Sequence, residues 1–254
     1  MNKIWVISIL TLREAIRDRI LYLLLVFALI FIASSLIISK LTVGDEIKII
    51  KDLGLSAISF FGVLIAIFIG IGLLYKEIDK KTIYTMISKP IERYQFLLGK
   101  YLGLLITLFA IWLAMSIIFL IFILIKAQWD NRLLLALVSI YFEYIIITSV
   151  AILFSSFSTP ILSSIFSLCV FFIGHLIEGL KMLSKKLTNV FAKSLAMFFY
   201  YLLPNLERYN LRGVVVHGDY IDPAQLFYII IYALIYSICL LLISIAIFQR
   251  RNFI

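Results

Sequence analysis

Apolar residues in this chain fall into long unbroken blocks rather than short periodic stripes. Six blocks approach or exceed the roughly 20 residues a helix needs to cross the hydrocarbon of a bilayer: Leu21 to Ser39, Leu55 to Tyr75, Tyr101 to Ile125, Leu133 to Phe154, Ile161 to Ile177 and Leu226 to Phe248. The fifth is the shortest, and the fourth carries Glu143. Segments apolar on every side predict helices solvated by lipid, because a spanning element must satisfy its backbone polar groups internally. The predicted fold class is therefore all-α and integral to the membrane. It is a six-span helical bundle with no linker long enough to set off a second domain.

The segments between the blocks carry their own patterns. In residues 1–20, Trp5, Ile9, Leu12 and Ile16 share one helical stripe while Arg13, Glu14, Arg17 and Asp18 take other faces, which predicts an amphipathic helix lying along the membrane interface with Trp5 as its anchor. Residues 76–100 are too charged to stay in hydrocarbon. Read as a helix, their first part groups Glu77, Lys80, Lys81 and Tyr84 on one side and Ile78, Ile83, Met86 and Ile87 on the other; Pro90 ends it, and Gly99-Lys100-Tyr101 opens the next apolar run. The largest excursion is residues 178–225. Within it Ser194 to Leu203 is apolar but too short to span, so it reads as a re-entrant or interfacial helix, or as an external hairpin packed on the bundle.

Composition agrees with a lipid solvent, at 64% hydrophobic and 15% charged against about half and a quarter in soluble domains. A net charge of +9 would suggest nucleic acid in a soluble protein; beside membrane spans it reads as topology and attraction to anionic lipid headgroups, with no nucleic-acid partner. The first apolar block is too long for a cleaved signal and lacks a small-residue cleavage site, so it is expected to remain. Six spans place both termini on one side. The alternate segments on that side hold twelve Lys and Arg against eleven on the other, so charge alone leaves the orientation undecided.

The insert and its surroundings resemble the signature region of ABC type-2 permeases, the membrane subunits of split ABC transporters. Lys76-Glu77, Thr82, Ser88-Lys89-Pro90, Arg93, and Phe96-Leu97-Leu98-Gly99-Lys100 with Gly103 carry the likeness, and Lys81 stands where members usually have Gly. Leu203-Pro204-Asn205-Leu206, Asn210-Leu211-Arg212 and Arg250-Arg251-Asn252-Phe253 extend it toward the subgroup associated with multicopper enzyme maturation, as in nitrous oxide reductase assembly. The resemblance implies one permease domain over residues 1–254, with residues 1–20 as an elbow helix, residues 76–100 as a cytoplasmic coupling region and short external helices before the last span. It implies an exporter in the cell (inner) membrane, with both termini cytoplasmic. It also implies a permease homodimer, two copies of a separate ABC ATPase, and ATP and Mg held by that partner, with Glu77, Lys80, Lys81, Thr82, Met86 and Lys89 as the coupling residues.

The chain lacks the phosphate-cradling G-x-x-x-x-G-K-[ST], so it is expected to bind no cofactor and not to hydrolyse ATP itself. Glu143 falls near mid-membrane, where a carboxyl is costly and faces the bundle interior or a wet cavity, as a pathway residue or as a hydrogen-bond partner of a neighbouring helix. His175 and Glu178 share a helical face at the outer end of the fifth span, a spacing that suits a structural hydrogen bond better than a metal, even with His217. No metal site is expected. Cys169 and Cys239 read as small buried hydrophobes, and soft-ligand clusters for copper are missing. Gly62, Ala66 and Gly70 in the second span, and Ser163 and Ser167 in the fifth, form seams for close helix packing, within the chain or across a homodimer. Two other readings stand beside the transporter: an intramembrane enzyme using Glu143, His175 and Glu178, whose groups would sit at different depths, and a non-transporting scaffold that turns ATPase motion into force.

Overall fold

The computed structural model describes residues 3–41, 45–79, 92–126, 129–186, 189–220 and 222–250. Among them regular structure is helical: α1 Lys3–Ile16, α2 Arg19–Ile38, α3 Glu46–Asp79, α4 Arg93–Ile125, α5 Arg132–Phe157, α6 Pro160–Lys186, α7 Val190–Leu202, α8 Arg212–His217 and α9 Pro223–Arg250, with 3-10 turns at Ser39–Leu41 and Glu207–Tyr209. Six helices, α2 to α6 and α9, are long and apolar enough to span a bilayer, and each matches one of the expected blocks, except that Ser39, the end of the first, opens the 3-10 turn after α2.

Every span except α3 and α5 buries only about a third of its most apolar window or less against the rest of the protein. The remainder exposes large apolar side chains such as Phe27, Ile30, Ile117, Ile121, Leu234 and Ile238, a belt that water would not tolerate and lipid solvates. α5 is the central helix, packed against α3, α4, α6, α8 and α9. Cys169 and Cys239 are exposed rather than buried, which corrects the sequence reading. In a bilayer the outer face of a span is as apolar as its core face, so hydropathy does not tell the two apart.

α3 starts nine residues before its apolar block and runs 34 residues, about 51 Å at 1.5 Å per residue, well beyond a 30 Å hydrocarbon layer. Charge pairing explains the extension. Glu46 meets Lys126 at the end of α4 (3.2 Å), and Lys51 meets Asp130 in the following loop (3.0 Å), so polar side chains on the first turns of α3 are satisfied by neighbours.

The excursion between α6 and α9 carries the expected short helices, α7 and α8, and with them a buried segment that hydropathy did not mark. The apolar helix α7 leans on α6 but buries none of its residues. The segment after it is the one that enters the bundle: Leu206, Tyr209, Leu211 and Val215 are all buried. Its backbone is paired with the spans, since Leu206 N–H donates to Gly174 O (3.1 Å), Asn205 N–H to Tyr232 Oη (3.1 Å), and Ser139 Oγ–H to Tyr209 O (2.9 Å). Tyr209 Oη–H in turn donates to Ile229 O (2.9 Å), and burial pushes its phenol above the ordinary tyrosine range. An apolar run could lie in lipid without partners, whereas this more polar stretch has to find them inside.

Candidate functional site

Beyond the charge pairs at the start of α3, two further clusters stand out among the described residues. The first lies where α1, α3, α4 and α9 meet beside the polar insert. α1 crosses the start of α4 at Gly99 and Gly103, where a Cβ would come within 2.6 Å of Ile7 Cβ and 2.5 Å of Thr11 Cβ. The four-residue spacing of the two glycines makes the groove that α1 occupies, and Ser8 Oγ–H donates to Gly99 O (3.0 Å) across it. The face of α1 turned to α4 is Ile7, Ser8, Thr11 and Ala15; of the apolar stripe, Trp5 and Ile16 are exposed and Ile9 and Leu12 half-buried.

Between the glycines Lys100 points inward and is 3% exposed. Its ammonium pairs with Glu14 of α1 (2.8 Å) and with Glu77 at the end of α3. Beside it Lys76 bonds Asp18 (2.7 Å), whose other oxygen caps α2 by accepting from Ile20 N–H (3.0 Å). Arg93 donates to Phe248 O (3.2 Å) and Gln249 O (2.8 Å), gripping the last carbonyls of α9, while the Phe96 ring stacks on Phe248 at 6.1 Å. The residues flanking the insert thus tie four helices into one assembly. Glu77 is part of that internal lock. Lys80, Lys81, Thr82, Met86 and Lys89, with Ser88 and Pro90, lie outside the described residues.

Burial raises the Asp18 carboxyl, and the Lys76 ammonium with the Ile20 amide more than offsets it, so the group sits below its ordinary 3.8. A lowered acid contributes stability that is complete above the unfolded value and is lost as pH falls through the folded one. Asp18→Asn retains a good cap and removes the charge, so at neutral pH it should cost about 0.5 kcal/mol, the scale of a half-exposed pair. In thermal melts the gap between variant and wild type should close as pH drops below 3.8.

The second place is inside the span region. Glu143 of α5 is 1% exposed; Ser59 Oγ–H of α3 donates to its Oε2 (3.1 Å), and His175 Nε2 of α6 stands 3.5 Å from its Oε1. This corrects the sequence expectation that Glu143 and His175 sit at different depths. They meet because both are counted from one short turn: Glu143 is 14 residues before Phe157 and His175 is 15 after Pro160, or about 21 and 22 Å along their helices. Glu178 does not pair with His175; it is exposed one turn further out, where its charge helps burial hold the Glu207 carboxyl above the ordinary range. His217 is exposed at the end of α8, and among the described residues no cluster of three potential ligands could hold a metal.

Arg212, from the inserted segment, closes the top of this site. Its Nε donates to Asn210 Oδ1 (2.8 Å) and its Nη1 to Ser56 Oγ, while Asn210 Nδ2 donates to Glu207 Oε1 (3.1 Å). Periodicity did not single out Ser56, Ser59 or Arg212. Only Arg212 carried a signal, through the Asn210-Leu211-Arg212 likeness. Ser59 donates to the carboxylate rather than to His175, so the imidazole is not placed to take the hydroxyl proton as it would in a serine triad.

The glycine seam of α3 is used within the chain. A Cβ on Gly62 would stand 1.9 Å from Tyr144 Oη, and Tyr144, fully buried, donates to Ile58 O. Ser163 and Ser167 are likewise fully buried.

Compared with known proteins, residues 5–253 match the family model described as ABC-2 family transporter protein. No curated protein matches the chain.

Proposed function

Since the chain belongs to the ABC-2 transporter family and is a multi-pass permease subunit served by an ABC ATPase, we propose that it is the export path of a split transporter, driven through the insert between α3 and α4. In this reading residues 76–100 and both termini face the cytosol of the cell (inner) membrane. Two ATPase subunits, holding ATP and Mg, then act on two copies of this chain. The observation that carries the proposal is the lock beside the insert. Lys100, Glu77, Lys76 and Arg93 join α1, α3, α4 and α9, so a push on residues 80–91 reaches four helices together.

Glu77 then acts as an internal strut, and the docking contacts fall to Lys80, Lys81, Thr82, Met86 and Lys89. Charged and apolar groups side by side suit docking, the charges setting register and the apolar knobs supplying affinity. Reversing both charges in Lys81→Glu with Lys89→Glu should cut recovery of a co-expressed ABC ATPase at least tenfold, while the detergent-solubilised chain keeps its melting temperature. Unchanged ATPase recovery would remove these residues from the interface. Transport by the reconstituted complex should vanish with a hydrolysis-dead ATPase; persistence would refute the drive. ATP-dependent force on an outer partner without transport would favour the scaffold.

A further inference from the structure

On the half of the bundle away from the insert, α2, α3 and α6 enclose a groove of about 470 Å³, within the range of ordinary ligand pockets. Five phenylalanines line it: Phe31 from α2, Phe60 and Phe61 from α3, and Phe171 and Phe172 from α6. Phe31, Phe60 and Phe172 are exposed, so the groove opens sideways into the lipid belt and an occupant enters from the leaflet rather than from water.

One end of this apolar channel is polar. Arg212 reaches it, together with Ser56, Ser59 and His175. Its hydrogen bonds go to neutral partners, Asn210 and Ser56, and no ion pair among the described residues includes it. The two carboxyls that act on it hydrogen-bond elsewhere, Glu143 through its Oε2 with Ser59, and Glu207 with Asn210. A guanidinium has five N–H donors in a fork matched to phosphate, and Arg212 commits two of them to the protein. Behind it a cavity of about 10 Å³, lined by Ser59, Glu143, His175 and Arg212, is the size of one water.

We propose that this groove binds an anionic membrane phospholipid, with the phosphate on Arg212 and an acyl chain along the phenylalanines. The site needs no ATPase and stands apart from the transport reading. The full-length chain, purified in neutral detergent, is offered phosphatidylglycerol and phosphatidylcholine of identical chains and read by native mass spectrometry. Phosphatidylglycerol should be retained preferentially, and Arg212→Gln should weaken it about tenfold, to the phosphatidylcholine level, as expected for loss of a charge-assisted contact. Arg212→Lys should restore part of the preference.

On the wild-type chain, a phosphatidylglycerol with a photoreactive acyl chain should label residues 56–61 and 171–175. That readout holds whether or not the Arg212 variants fold. Equal retention of the two lipids, or label spread evenly around the exposed apolar belt, overturns the proposal. So does displacement by inorganic phosphate alone, which would mark a site for the headgroup without the chain.

Discussion

Lys100→Met is expected to destabilise the purified protein by about 3 kcal/mol, the lower end of the range for removing one partner of a buried ion pair. The ammonium is 3% exposed and serves two carboxylates, Glu14 on α1 and Glu77 on α3. Without it Glu14, half-exposed, can turn to water, whereas Glu77 is 13% exposed and remains largely enclosed beside the methionine. The cost should therefore fall more on Glu77 than on Glu14. Adding Glu77→Gln should return part of the lost stability, because an enclosed neutral amide costs less than an enclosed carboxylate that has lost this ammonium. Thermal melts of the single and double variants in one detergent measure both effects, and a Lys100→Met melt matching wild type would show that the lock bears no load. The same variant should loosen α1, seen as faster protease cleavage near residues 14–18.

Gly62→Leu should be as damaging for a different reason. A side chain there would enter the space of Tyr144, with Tyr209 one of the two largest fully buried side chains among the described residues, and break its hydroxyl contact with Ile58 O. Overpacking costs about 1–3 kcal/mol and an orphaned buried hydroxyl about as much again, so a loss of about 3 kcal/mol or more is expected. Gly70→Ala, two helical turns along the same seam, is the control. Its Cβ would stand 3.6 Å from Leu104 Cδ1 and 3.9 Å from Ala151 Cβ, ordinary contact, and alanine is the better helix former by up to about 1 kcal/mol. A seam that tolerates bulk at 70 and rejects it at 62 is an intrachain joint to α5. Similar damage at both positions would contradict that placement.

The spans were legible because lipid demands long apolar helices, and little else in a chain this size can meet that demand. Ends were less so. The start of α3 extends past its apolar block because Glu46 and Lys51 find Lys126 and Asp130, partners some eighty residues away that no local pattern announces. Glu143 was readable as an interior carboxyl from depth alone. Its contact with His175 was within reach of the same arithmetic, since only Ser158 and Thr159 separate the two helices. The inserted segment was hidden for the opposite reason: hydropathy favours Val190–Leu202, while burial follows hydrogen-bond partners, and Ser139, Tyr232 and Gly174 supply those to residues 205–209. The glycines of the likeness, Gly99 and Gly103, owe their place to α1, whose Ile7 and Thr11 sit against them, a partner from the far end of the chain's first hundred residues that spacing alone does not reveal.

That short turn between α5 and α6 carries a constraint on how the chain can vary. One residue added there would rotate α6 by about 100° and slide it by about 1.5 Å, swinging the imidazole off Glu143 and the phenylalanines off the groove at a stroke. Loop length here is a phase setting for the whole sixth helix. Relatives with a longer or shorter link should carry their histidine at a shifted position, or have given up the acid that faces it.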